Sequence, residues 1–142
     1  MLYLLEIKKL MVVLYAEDDV DDYVFFEDTL GKVHPQARCL NARNGREVLE
    51  MLEASTSLPD IIFLDINMPT MDGKSCLKSI KSDDKLKTIP VIIYTTSSSE
   101  KDKEQCLQLG AEKYLVKPYG LQEAEAVIRN AMEPFVKEHN DE

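Results

Sequence analysis

Five short apolar runs, separated by stretches of helical period, constrain the fold of this chain more than any other feature. The runs are Leu10 to Ala16, Arg38 to Ala42, Ile61 to Asp65, Pro90 to Thr95 and Lys113 to Val116, rich in the Val, Ile and Leu that suit strands. In Met11-Val12-Val13-Leu14 and Val91-Ile92-Ile93 the hydrophobicity is continuous rather than alternating, as a parallel strand covered on both faces requires. Four of the five read as buried strands of this kind. The exception, Arg38-Cys39-Leu40-Asn41, is more polar and is expected at an edge.

The intervening segments have helical spacing. Tyr23, Phe26 and Leu30 predict a helix from Asp21 to Leu30, and Asn44-Gly45 introduces a second with Val48, Leu49 and Leu52 on one face. A third is predicted from Lys74 to Lys81, entered through a turn at Asp72-Gly73. A fourth opens on a capping box at Ser97-Ser98-Ser99-Glu100 and ends at Leu109-Gly110. The fifth is predicted from Leu121 to about Met132, with Pro134 expected to kink or end it. Strand and helix therefore alternate five times, which implies an α/β fold: a (βα)5 doubly wound parallel sheet with right-handed crossovers.

A length of 142 residues with 44% hydrophobic content suffices for one buried core and leaves no room for a second domain. Residues 1–9 stand apart as an N-terminal extension. Met1 to Leu5 is apolar, but Glu6, Lys8 and Lys9 follow at once, so the stretch is too short for a signal-peptide core or a membrane span. Met11 precedes the first strand, and two readings stay open: an extra ordered segment, or a tail upstream of the natural start. A net charge of -9 repels phosphate backbones, so proteins rather than nucleic acids or membranes are the expected partners. Cys39, Cys76 and Cys106 form no C-x-x-C pair, which suits a reduced, cytoplasmic chain.

Ligands of open α/β sheets bind outside the carboxyl ends of the strands. Four of the predicted strands end in reactive side chains: Glu17-Asp18-Asp19, Asp65, Thr95-Thr96 and Lys117-Pro118. Carboxylates crowded at one rim raise each other's pKa or recruit a cation, and Mg²⁺ suits a few carboxylates plus water and phosphate oxygens. The constellation points to one chemistry, in which a metal and Lys117 neutralise phosphoryl oxygens while Asp65 attacks phosphorus in line. Thr95 is expected to act as a sensor, donating a hydrogen bond that exists only after phosphorylation. Asp19, Asp21 and Asp22 are assigned to helix capping. His34 and His139 fall in loop or tail positions, and neither is expected to carry phosphate.

From about Met11 to Met132 the chain resembles the receiver domain of two-component response regulators. The resemblance rests on Glu17-Asp18-Asp19, on Asp65-Ile66-Asn67-Met68-Pro69-Thr70-Met71-Asp72-Gly73, on Pro90 to Thr96, and on Leu109-Gly110-Ala111 through Lys117-Pro118. It implies a flavodoxin-like strand order of 2-1-3-4-5, with residues 10–142 as the receiver. By motif position it implies Asp65 as phosphoacceptor, and Asp18, Asp65 and the backbone carbonyl of Asn67 as Mg²⁺ ligands, with Glu17 acting through water. It further implies Lys117 as the phosphoryl-contacting lysine, a cis Lys117-Pro118 peptide, and Tyr114 as the aromatic that changes rotamer when Thr95 moves. Two positions depart from the family pattern: Glu17 replaces the more frequent Asp, and Thr96 is bulkier than the usual Ala or Ser.

The implied function is a stand-alone response regulator that takes phosphate from a sensor histidine kinase or phosphotransfer protein and signals through protein contacts, with a homodimer among its possible assemblies. It catalyses only its own phosphorylation and dephosphorylation and is no enzyme in the ordinary sense. A phosphate shuttle or sink in a phosphorelay is the alternative. A phosphatase of the haloacid dehalogenase type also uses a strand-end Asp and Mg²⁺, but needs a second Asp two residues on, where this chain has Asn67.

Overall fold

A computed structural model describes residues 10–141, with side chains up to residue 136; the N-terminal extension, residues 1–9, lies outside the described residues. The strands are β1 (Met11–Ala16), β2 (Ala37–Ala42), β3 (Ile61–Leu64), β4 (Val91–Thr95) and β5 (Lys113–Val116). They alternate with α1 (Val20–Val33), α2 (Gly45–Ala54), α3 (Gly73–Ser82), α4 (Glu100–Gln108) and α5 (Leu121–Asp141). All pairings are parallel, in the order β2-β1-β3-β4-β5.

The continuous apolar runs are explained by two cores, one on each face of the sheet. Val13, Tyr15, Ile61, Phe63, Ile92 and Tyr94 point one way, against Phe26 and Leu30 of α1 and Ile128, Ala131 and Met132 of α5. Leu14, Ala16, Ile62, Leu64, Val91 and Ile93 point the other way, against Val48 and Leu52 of α2, Cys76, Leu77 and Ile80 of α3, and Cys106 of α4. Successive strand residues face opposite sides, so both sets must be apolar. β2 lies at an edge as expected. β5 occupies the other edge and is only half-buried, with Val116 exposed, which corrects its reading as a buried strand.

Two helix boundaries differ from expectation for local reasons. Asp102, not Glu100, answers the cap of α4: the cap residue is Ser99, whose side chain accepts from the Asp102 N–H. The Ser97 hydroxyl is instead turned toward the Asp102 carboxylate. α5 runs through Pro134 to Asp141. Proline removes one N–H from the helical ladder, but Phe135 and Val136 beyond it pack onto the α1–α5 core, and that burial holds the helix together. The predicted stop at Leu109-Gly110 stands, with Gly110 at φ 110, a left-handed conformation that favours glycine.

Candidate functional site

Strand register alone brings the chemistry together. Ala42, Ala16 and Leu64 are aligned across β2, β1 and β3, so Glu17 and Asp65 each follow directly at the same rim. The Glu17 N–H donates to the Ala42 carbonyl at 2.9 Å and the Asp65 N–H to the Ala16 carbonyl at 3.2 Å. On the other side Thr95 pairs with Val116, and the Lys117 N–H donates to the Thr95 carbonyl at 2.7 Å. Glu17, Asp65, Thr95 and Lys117 therefore converge because four parallel strands end in step.

The Asp65 carboxylate is nearly enclosed, at 5% residue exposure, and its two oxygens have different partners. Oδ1 accepts from the Thr95 hydroxyl at 2.9 Å and from the Asn67 N–H at 3.0 Å. Oδ2 accepts from Lys117 Nζ at 3.0 Å. The hydrogen bond from Thr95 to Asp65 is thus already made by the unmodified carboxylate, which corrects the expectation that Thr95 donates only after phosphorylation. The reason is that an ionised carboxylate is itself a strong acceptor. Phosphorylation at this position would change the acceptor of Thr95 rather than create one.

Beneath Asp65, Gly73 closes the loop that follows β3. Its N–H donates to the Ile66 carbonyl at 3.1 Å, and a Cβ on Gly73 would stand 2.2 Å from the Asp65 carbonyl oxygen. Asp72 caps α3 through the Ser75 N–H, confirming the turn. Between them and Asp65, Thr70 adopts φ 67. A β-branched residue in that region is strained, and the strain sits in the loop that carries the carboxylate.

Lys117 is the common cation. Its Nζ contacts Glu17 Oε1 and Asp65 Oδ2 and reaches Asp22 Oδ2 at 3.4 Å. Burial works against the ammonium, but its bonds to Glu17 and Asp65 outweigh that and raise its pKa above the usual lysine range. Burial pushes the Glu17 carboxyl up to about 7, opposed by the hydrogen bond from Lys117. The two shifts differ in origin: burial raises Glu17, whereas the two enclosed carboxylates raise Lys117. Lys117 makes these contacts across a trans Lys117-Pro118 peptide, not the expected cis one; the trans form is the favoured isomer.

The expected metal ligands are only partly gathered. Among the described residues no three acidic, His or Cys side chains converge as a metal site requires. Asp18 is exposed, while Lys117 stands between Glu17 and Asp65. The donor chemistry nevertheless fits a hard divalent ion, because Glu17, Asp18 and Asp65 offer carboxylate oxygens at one rim and the loop after β3 offers carbonyls.

Tyr114 lies at the end of the same network, its hydroxyl donating to the Ser97 carbonyl at 2.9 Å. Thr96 is exposed at the rim of a cavity of about 310 Å³ that Tyr15, Phe25, Tyr94, Lys117 and Tyr119 also line. Asp19 caps α1 as expected, through the Asp22 N–H.

Two contributors escaped the sequence reading. The buried Tyr15 hydroxyl donates to Glu17 Oε1 at 3.1 Å, although Tyr15 reads as ordinary strand core. Asn41 Nδ2 donates to the carbonyls of Tyr15, Glu17 and Ala42 at 3.1, 3.2 and 3.1 Å, fixing the turn that presents Glu17. An asparagine within an otherwise apolar strand end was the available signal for it.

Residues 13–129 match the family described as the response regulator receiver domain. The chain is 33% identical over 93 residues to the sensor histidine kinase CheAY of Helicobacter pylori, covering 66% of this chain and 12% of that protein. It is 40% identical over 97 residues to the DNA-binding transcriptional regulator NtrC of Escherichia coli, covering 68% and 20%. It therefore spans only a small part of the length of these two relatives. Among solved structures it resembles the phosphorylated cyanobacterial phytochrome response regulator RcpA, with a TM-score of 0.83, 28% identity, and coverage of 90% of this chain and 95% of that one. The matched residues enclose every strand end described above, and this chain belongs to the response regulator receiver domain family.

Proposed function

As a receiver domain the chain is a phosphoacceptor module of two-component signalling, and we propose that Asp65 is the residue that accepts the phosphoryl group, in a Mg²⁺-dependent reaction. The observation that carries this reading is the division of labour around the Asp65 carboxylate. One oxygen is held by Thr95 and the Asn67 N–H, the other by Lys117. In the reaction a carboxylate oxygen forms a bond to phosphorus as the bond from phosphorus to its donor breaks. The donor's departing group, a histidine ring or an acetate, leaves with the electron pair, and the product is an acyl phosphate.

Lys117 is placed to stay beside the phosphoryl oxygens and neutralise their charge, as catalysis by fixed positive groups requires. Thr95 is placed to transfer its hydrogen bond from the carboxylate to a phosphoryl oxygen. Electrostatics support the need for a cation. Two enclosed carboxylates already share one ammonium, and a phosphoryl group adds roughly -1.5 to -2 charges beside them. Glu17, Asp18, Asp65 and the Asn67 carbonyl are the groups that would hold the magnesium. When bound, that ion supplies charge neutralisation of the phosphoryl oxygens.

Asn67 occupies the position where the haloacid dehalogenase reading needs a general acid, and the family match removes that reading. The partner is proposed to be a histidine kinase or phosphotransfer protein, a reading that the match to CheAY supports. The signal is proposed to leave through protein contact. Among the described residues no helix is long and apolar enough to cross a membrane.

Acetyl phosphate labelled on its phosphoryl group tests the reading. Wild type is expected to take up label only with Mg²⁺ and to lose it in mild alkali, as an acyl phosphate does. Asp65→Asn should keep the fold and take up none, because the amide preserves shape but not the nucleophile. Labelling of Asp65→Asn at the wild-type rate would assign the acceptor elsewhere.

A further inference from the structure

Asp65 does not end its hydrogen-bond network at Thr95. The Ser97 N–H reaches Thr95 Oγ1 at 3.4 Å, and the Ser97 carbonyl accepts from Tyr114. The Ser97 hydroxyl donates to Asp102 Oδ2 at 2.6 Å and accepts from the Ser99 N–H at 3.3 Å. Every polar atom of Ser97 is therefore engaged, each with a different neighbour. Asp102 in turn is held by Lys74, whose Nζ donates to Asp102 Oδ1 and to Gln105 Oε1, both at 2.5 Å. Lys74 is the second residue of α3, directly after Gly73, and Asp102 lies in the first turn of α4. The ion pair spans two helices and is about three-quarters enclosed on both side chains.

This route runs from the carboxylate through Thr95 and Ser97 to a pair that joins α3 to α4. It also closes on itself, because α3 starts at Gly73, which packs against the Asp65 backbone. Lys74 is thus one residue from the glycine packed against the Asp65 backbone, while Thr95 holds the Asp65 carboxylate through its hydroxyl. The hydrogen bond from Lys74, and less strongly that from Ser97, lowers the pKa of Asp102, consistent with a carboxylate held in its charged form at this junction.

We infer that Ser97, Asp102 and Lys74 are positioning residues that hold the Thr95 hydroxyl against the group on Asp65. This rests on the reading of Asp65 as phosphoacceptor. Breaking the Lys74–Asp102 pair releases the carboxylate that receives the Ser97 hydroxyl from its anchor on α3, so the loop between β4 and α4 loosens and Thr95 loses its fixed orientation. Coupling between two such sites is reciprocal. A change at Lys74 must therefore alter the affinity of Asp65 for a phosphoryl group, although Lys74 does not touch it.

The probe is beryllofluoride with Mg²⁺, whose binding is followed by NMR on the whole chain. Lys74→Met and Ser97→Ala are each expected to weaken apparent binding by about five-fold or more, while Lys74→Arg, which keeps the charge on Asp102, retains most of it. Combining Lys74→Met with Asp102→Asn should cost no more than the worse of the two alone, since both break one pair. Thermal melts separate positioning from simple structural loss, because weakened binding must appear in variants that are fully folded at the assay temperature. Binding by Lys74→Met and Ser97→Ala within two-fold of a wild type that does bind, or tighter than it, overturns the inference. Failure of wild type itself to bind beryllofluoride overturns the proposed function instead.

Discussion

Lys117→Met is the substitution whose consequence follows most directly from the geometry. Methionine preserves most of the apolar stem and removes only the ammonium. The lysine side chain is 11% exposed, and its partners Glu17 and Asp65 are 3% and 8% exposed on their side chains. Asp22, at 52%, is solvated and contributes little. Removing one member of a buried ion pair costs about 3–5 kcal/mol, because the remaining charge is left enclosed. Here two carboxylates are left, but they shared one cation and Glu17, already pushed up to about 7 by burial, takes up a proton more readily once the ammonium is gone, so the cost is that of one broken pair and not of two. For a domain of this size each kcal/mol moves Tm by roughly 2–4 °C, and a fall of roughly 6–20 °C is expected. The assay is urea unfolding followed by circular dichroism, in EDTA so that no divalent ion substitutes for the ammonium. Adding Asp65→Asn to Lys117→Met should recover at least about 1 kcal/mol, since the Asp65 charge left enclosed is gone. A stability of Lys117→Met within about 0.5 kcal/mol of wild type, or simple additivity in the double variant, would refute the argument that Lys117 compensates both carboxylates.

Thr95→Ala should still accept label from acetyl phosphate but no longer relay it, so that beryllofluoride shifts NMR resonances around Tyr114 and α4 in wild type and leaves them unmoved in the variant. Gly73→Ala should lose about 3 kcal/mol or more in thermal melts and label slowly, because its Cβ would force the Asp65 carbonyl away from 2.2 Å; a melt matching wild type would show that the loop adjusts freely. Burial pushes the Cys39 thiol up to about 11 and the Cys76 thiol up to about 12. The thiolate is the reactive form, so native Cys39 should alkylate about a hundred-fold more slowly at pH 8 than a thiol of pKa 9.0, and its rate should climb through pH 10. Rapid alkylation at pH 8 in the folded protein would contradict that burial.

The strands were legible because burial on both faces leaves little freedom in composition: β1, β3 and β4 are apolar throughout but for Thr95 at the rim, and their limits in the structure lie within one residue of the apolar runs. The same rule misjudged β5. Lys113-Tyr114-Leu115-Val116 is mostly apolar, yet the strand order sets it at an edge, and apolarity in a four-residue run does not distinguish a covered face from a half-covered one. Pro134 misled for the opposite reason. A local rule gives the cost of a missing N–H, whereas the compensation comes from Phe135 and Val136 packing onto α1, a tertiary contact that no local pattern contains.

The rim residues were legible for a different reason. Glu17, Asp65, Thr95 and Lys117 each directly follow or end a strand, and parallel register forces strand ends together whatever the side chains are. What register cannot supply is the partner of each side-chain oxygen. Thr95 was expected to wait for a phosphoryl group, but a carboxylate 2.9 Å away already takes its hydrogen bond, and only the rotamer decides that. Asp102 was invisible for the same cause, sitting in an acidic helix start where capping alone accounts for it. Its second role depends on Lys74, which lies 28 residues away in sequence. Position along the chain thus specifies which groups arrive at the site. Which of them share protons and charge is set by side-chain geometry, so the electrostatics of the rim must be tested one residue at a time.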